Sequence, residues 1–193
     1  MAALRFLFGF EGRIARGRFW IFGLALYALG SLALAATPAA RGTLLHMLWL
    51  PGAVMLWLYI FSGMWGFSVA ALSMAIEIFL VQHLGGRAGI WLFLVAVALC
   101  LVLGWMVIAV ASKRLHDRGK SGWWLLLFIV APLALDFASG LAASPHTGAL
   151  FVAEAFALHL WSFVEMGCRP GVGGANAYGP DPRAIAATAP AAA

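Results

Sequence analysis

The sequence predicts an all-α protein, a polytopic transmembrane helical bundle of about six membrane helices, with five or four as the alternatives. Three observations predict it. Of the 193 residues, 64% are hydrophobic and only 10% charged, against about 25% charged in a soluble domain. Uncharged runs recur that reach the roughly 18–20 residues needed to cross a hydrocarbon core, and the mean hydropathy is +0.98. The remaining charges are basic in balance and gather in three segments. Arg5, Arg13, Arg16 and Arg18 face only Glu11 near the start, Lys113, Arg114, Arg118 and Lys120 face only Asp117, and Arg169 and Arg183 face Asp181 near the end. By the positive-inside rule all three segments, and so both termini, are cytoplasmic.

The expected elements follow in order. Residues 1–18 are basic and glycine-punctuated, with Phe6, Phe8 and Phe10 at alternate positions, as in a segment lying on anionic headgroups. The first span, about 19–36, opens with the interfacial aromatic pair Phe19-Trp20. A cleaved signal peptide is the rival view, because Ala33-Leu34-Ala35 resembles a cleavage site, but the apolar run is longer than a typical signal core. The apolar stretch 44–81 exceeds a single crossing. It divides at Ser62-Gly63 into spans of about 44–61 and 64–81, or into a re-entrant pair. Residues 90–111 form the cleanest span, without a formal charge. Spans of about 123–141, with Pro132 and Asp136, and 148–166, with Glu154, His159 and Glu165, complete the set. A single integral membrane domain thus covers 1–182, and residues 183–193 form a disordered Ala/Pro tail. Cys100 and Cys168 read as apolar filling, with no disulfide or metal spacing.

The basic turn from Lys113 to Trp124 is the centre of this plan. Gly119 suits a left-handed helix C-terminal cap, Ser121 an N-cap for the next helix, and Trp123-Trp124 set its depth. If the preceding helix extends through the turn, Arg114 and Arg118 share one face, and Lys113 and Asp117 pair along another. Two guanidinium forks on one face suit a phosphate or a carboxylate. One reading is topology plus capping. The other is recognition of anionic headgroups. A nucleotide-binding P-loop is excluded, although Gly119-Lys120-Ser121 spells its end. Position 114, where the leading glycine belongs, is Arg, and the flanking elements are apolar helices.

Three segments appear in fixed order: Gly12-Arg13-Ile14-Ala15-Arg16-Gly17-Arg18-Phe19-Trp20, Arg114-Leu115-His116-Asp117-Arg118-Gly119-Lys120-Ser121-Gly122-Trp123-Trp124, and Asn176-Ala177-Tyr178-Gly179-Pro180-Asp181-Pro182. Together they resemble the domain-of-unknown-function 805 family of small bacterial inner-membrane proteins, over about Gly12 to Pro182. Ala177 departs from the basic residue that the family often carries there. The stretch from about Thr37 to Gly89 is longer than in compact members and borrows nothing from the family. The resemblance implies a membrane protein with these motifs on the cytoplasmic side and implies no activity. It favours a role for the turn beyond topology, since topology needs positive charge and not a His-Asp pair in fixed order. A physical account is that the three segments meet at the inner face, with Asp117 or Asp181 pairing to Arg13 or Arg16.

Ionisable residues at membrane depth are costly and invite functional hypotheses. Glu77, Asp136 and Glu154 each fall near the outer end of an expected span, forming a carboxylate layer close to His46, His83 and His146. That layer suits a cation or proton site, or simply reaches water and neighbouring helices. His159 lies deeper with no evident partner, and Glu165 and Arg169 form an interfacial pair. Catalytic signatures are absent, and the sequence implies no enzyme, cofactor, metal or nucleic-acid partner. The leading expectation is a non-enzymatic inner-membrane protein whose basic face binds anionic lipid or a partner protein. Arg114, Arg118 and Lys120 make the main contacts, Arg13 and Arg16 support them, and His116 and Asp117 complete the set. A membrane-protein partner or a homo-oligomer fits the same face. The alternative is a small transporter or channel using Glu77, Asp136 and Glu154.

Overall fold

The computed structural model describes residues 2–36 and 87–184. The expected spans 44–61 and 64–81, with Ser62-Gly63, His46, Glu77 and His83, lie outside the described residues, as does the tail from residue 185. The described chain is helical, with no strand and one isolated bridge, Asn176–Gly179. Among the described residues one helical stretch, Pro145–Cys168, is long and apolar enough to cross a membrane by length and composition.

The chain divides into two compact units, Met1–Ile21 with Val107–Ala193, and Phe22–Met106. The second unit holds the apolar bodies of two long helices, α2 (Arg16–Ala36) and α3 (Arg87–Asp117). On α3 the large side chains of Trp91, Val95 and Leu101 are exposed. The first unit holds the ends of both helices, a short α1 (Ala2–Phe8), α4 (Ala131–Gly140) and α5 (Pro145–Ser162).

Helix α3 overruns the expected span 90–111 at both ends, so that Lys113, Arg114 and Asp117 sit on helix rather than in a loop. It stops as Gly119 allows. Gly119 has φ +70°, its N–H donates to the His116 carbonyl, and the Lys120 N–H donates back to Leu115. This pair of bonds is the Schellman cap, which needs the left-handed residue that glycine supplies without steric cost. The chain turns through Ser121, whose carbonyl accepts from the Trp124 N–H at 3.3 Å. Gly122 lets the turn lie against α3, because a Cβ there would stand 3.2 Å from Ser112 Oγ.

A π-helical turn, Leu126–Val130, then leads into α4. Pro132 has no N–H to offer the Phe128 carbonyl, and such a gap in the ladder is a common cause of local rewinding. Helix α5 begins at Pro145 rather than 148, since Ser144 Oγ accepts from the Thr147 N–H and Pro145 fits the first turn. A second π-helical turn, Phe163–Cys168, ends it. Phe128 and Trp161 pack edge to face, with ring centroids 5.4 Å apart, and tie the start of the α4 segment to α5.

Candidate functional site

The three motif segments, far apart in sequence, close on one another in a polar clasp built around Asp117. Its carboxylate is buried. Arg13 donates to Oδ1 from Nε at 3.2 Å and from its terminal nitrogen at 3.0 Å. Arg114, one helical turn back, donates to Oδ2. The Asp117 backbone carbonyl accepts from the Val172 N–H at 2.8 Å. One residue of α3 therefore holds the N-terminal segment by its side chain and the C-terminal hook by its backbone. Arg114, wholly buried, is driven down to about 10 by burial, with the Asp117 charge pulling it back up. It stays protonated at neutral pH.

The hook explains why arginine is needed here. After α5 the chain runs through Arg169-Pro170-Gly171-Val172-Gly173-Gly174 outside any helix or strand, so its carbonyls need other partners. The last carbonyls of a helix also lack partners and carry partial negative charge. Cationic forks and an indole supply the donors. Arg114 Nε reaches Met166 O at 2.7 Å, and another of its nitrogens reaches Arg169 O. Trp20 Nε1 donates to Gly167 O at 2.9 Å and Arg16 to Cys168 O at 2.8 Å. Arg118 donates to Pro170 O, and Arg13 to the carbonyls of Val172, Gly174 and Gly179. A lysine gathers its three donors on one nitrogen, whereas a guanidinium spreads five over a planar fork and so bridges a carboxylate and several carbonyls at once.

Glu165 is the second buried carboxylate. Arg118 and Lys120 lie 3.2 and 3.7 Å from Oε1, and Arg169 lies 2.9 Å from Oε2. Lys120 also stands 3.6 Å above the Trp124 ring. The interfacial pair expected of Glu165 and Arg169 is present, but Glu165 is buried and holds three cations. The pairing expected of Lys113 with Asp117 is replaced. Lys113 Nζ donates to the carbonyls of Arg5 and Phe6 at the end of α1, while Asp117 already faces Arg13 and Arg114.

The tail motif completes the clasp. Asn176 donates from Nδ2 to the His116 carbonyl at 2.9 Å, accepts from the Tyr178 N–H at Oδ1, and exchanges two 3.0 Å backbone bonds with Gly179. His116 stacks on Tyr178 with ring centroids 4.0 Å apart and planes 2° from parallel. Its Nδ1 lies 3.2 Å from the Gly12 carbonyl, an acceptor, so the hydrogen belongs on Nδ1. Asp181 pairs with Arg183 at 3.0 Å and accepts from the Gly174 N–H, and Arg183 holds it below the usual carboxylate range.

Residues 53–180 match the family described as protein of unknown function (DUF805). The chain belongs to that family. Over 87 residues it is 39% identical to the uncharacterized protein YiiR of Escherichia coli K12, covering 44% of this chain and 58% of that one. Over 75 residues it is 31% identical to the inner membrane protein YhaH of the same organism, covering 39% and 41%. The chain spans about half the length of the curated relatives it matches. No solved structure matches. The DUF805 match takes in residues 53–89, part of the stretch set aside in the sequence, and begins downstream of the Arg13 segment.

Of the expected site residues, Arg13, Arg16, Arg114, His116, Asp117, Arg118 and Lys120 all fall in or on the clasp. Arg114 lies inside it, with three nitrogens donating to protein acceptors, and not at the surface. Of the three carboxylates expected in an outer layer, Glu77 lies outside the described residues. Asp136 Oδ2 lies 3.6 Å from His159 Nε2, which gives His159 the partner the sequence did not suggest, while Glu154 is exposed. Sequence reasoning took Gly171 as a turn former and did not place it against Asp117. The signal is its glycine, since a Cβ there would stand 2.0 Å from Asp117 Oδ2.

Gly171→Ala is therefore expected to cost about 2–3 kcal/mol, as overpacking does. Gly173→Ala, whose nearest neighbour would be 3.9 Å away, changes stability by less than about 0.5 kcal/mol. Unfolding of both variants in mixed micelles checks the contrast, and equal losses contradict it. Burial lowers the His116 pKa from its ordinary 6.5. The neutral ring is favoured in the fold, so this stability is present above 6.5 and lost as pH falls below it. Amide exchange across 174–180, corrected for intrinsic rates, is expected to quicken between pH about 7.5 and about 5.5 in wild type and not in His116→Gln.

Proposed function

We propose that the chain is a multi-pass protein of the bacterial inner membrane, one domain over 1–182 with about six membrane helices and both termini cytoplasmic. Its role is non-enzymatic, and its cytoplasmic basic face binds anionic lipid headgroups. The observation that carries this reading is which cations remain outside once the clasp is built. Arg13 and Arg114 are buried against Asp117. Arg5 and Arg18 are exposed and take no part in these contacts, while Arg16, Arg169 and Arg183 are exposed but bonded to the Cys168 carbonyl, Glu165 and Asp181, and the exposed Glu11 stands in the same N-terminal segment. Phosphate contact therefore belongs to this outer rim, with Arg118 and Lys120 half-buried beneath it, and Arg114 positions the backbone. Each basic residue at an anionic surface contributes about 1 kcal/mol.

Two further features support a membrane setting. One relative, YhaH, is named an inner membrane protein. Large apolar side chains stand open along the segment that leaves the basic turn, with Trp123 at the turn and Phe137 and Leu141 toward the far end of α4 all more than two-thirds exposed, and exposed apolar surface is a mark of lipid or partner contact.

Arg5 and Arg18 test the reading without touching the Asp117 pairs. Native mass spectrometry of Arg5→Gln/Arg18→Gln is expected to show about tenfold less retained anionic phospholipid than wild type. Unchanged retention, or a protein bound in place of lipid, sinks the lipid reading.

A further inference from the structure

One surface of the first unit is left unexplained by the clasp. An open groove of about 400 Å³ runs along the membrane side of the basic turn, walled by Phe10, Ile108, Ser112, Gly122, Trp123 and Ile129. Its size falls in the roughly 300–1,000 Å³ range of small-molecule sites. Its wall is apolar except at one end, where Ser112 and Gly122 lie together at the turn. The wall continues from Gly122 through the π-helical turn to Val130. Trp123, 78% exposed, stands at the turn end, where an indole settles among headgroups.

An exposed cation lies toward that end. Arg5 is exposed on α1, and the Gly9 N–H returns to its carbonyl just before Phe10 enters the groove. Lys120, two residues before Gly122, is already held by the Glu165 carboxylate and the Trp124 ring. An open apolar groove with a cation toward its turn end is complementary to a single anionic amphiphile whose chain points into the bilayer. We infer that the groove seats one acyl chain of a membrane phospholipid, with its phosphate at the turn end on the side of Arg5. The inference rests on the lipid reading of the basic rim and adds to it a place for the chain.

The experiment uses the full chain in nanodiscs doped with phospholipid that carries a diazirine in one acyl chain, followed by peptide mapping of the photoadducts. Phosphatidylglycerol and phosphatidylcholine versions are compared. The expected result is labelling of peptides containing Ile108 and Leu126–Val130 well above that of the exposed α5 positions Leu150 and Val152. Ile129→Trp fills the slot and is expected to cut that labelling about tenfold, since several methylenes lose their burial. Leu126→Trp, at a position 53% exposed, repeats the test should Ile129→Trp not fold. Labelling no stronger than at α5, or undiminished in the folded tryptophan variants, overturns the site. Equal labelling by both lipids, lost in the tryptophan variants, leaves the chain site standing and overturns the headgroup reading instead.

Discussion

The described end of the molecule depends on the burial of one carboxylate. Asp117 sits on the last turn of α3 with two guanidinium groups against it and its carbonyl bonded to the hook. Breaking a buried charge pair by removing one partner costs about 3–5 kcal/mol, because the other charge is stranded. Here two arginines would be stranded. The same contact also fixes the backbone, since Gly171 must pass where only a hydrogen fits beside the carboxylate. Charge pairing, helix capping and hook geometry are thus aspects of one arrangement.

The arrangement gives the basic residues two different roles. Positive charge on the cytoplasmic side would be served by any lysine or arginine in any order. The clasp asks for more, because Arg13 and Arg114 each bridge a carboxylate and carbonyls of a segment with no secondary structure to satisfy them. Their bonds run between segments about 100 and 50 residues apart in sequence, so they act as long-range tertiary contacts. Arg5 and Arg18, exposed and outside these contacts, carry no such requirement.

Helix bodies and caps were legible in the sequence, and partners were not. The uncharged run before Lys113 and the glycine at 119 predict α3 and its end, and both are found, with the helix longer than the run. The last span is expected from about Gly148, yet Ser144-Pro145 is the stronger local signal and starts α5 three residues earlier. Spacing within a helix placed Lys113 beside Asp117 and Glu165 beside Arg169. It could not foresee that α1 would offer carbonyls to Lys113, or that Arg118 and Lys120 would join Glu165 from the turn. Arg114 shows the limit most clearly. A basic residue in a cytoplasmic turn reads as exposed, and only the return of the hook over it makes it buried.

The central claim is that Arg13 and Asp117, 104 residues apart in sequence, are energetically coupled. A double-mutant cycle of Arg13→Ala, Asp117→Ala and the combination, followed by reversible unfolding in mixed micelles, measures this directly. The account predicts a coupling energy above about 1 kcal/mol, within the range seen for residues in one charged network. Additivity to within about 0.5 kcal/mol would contradict it, and would return the basic segments to the single role of setting topology.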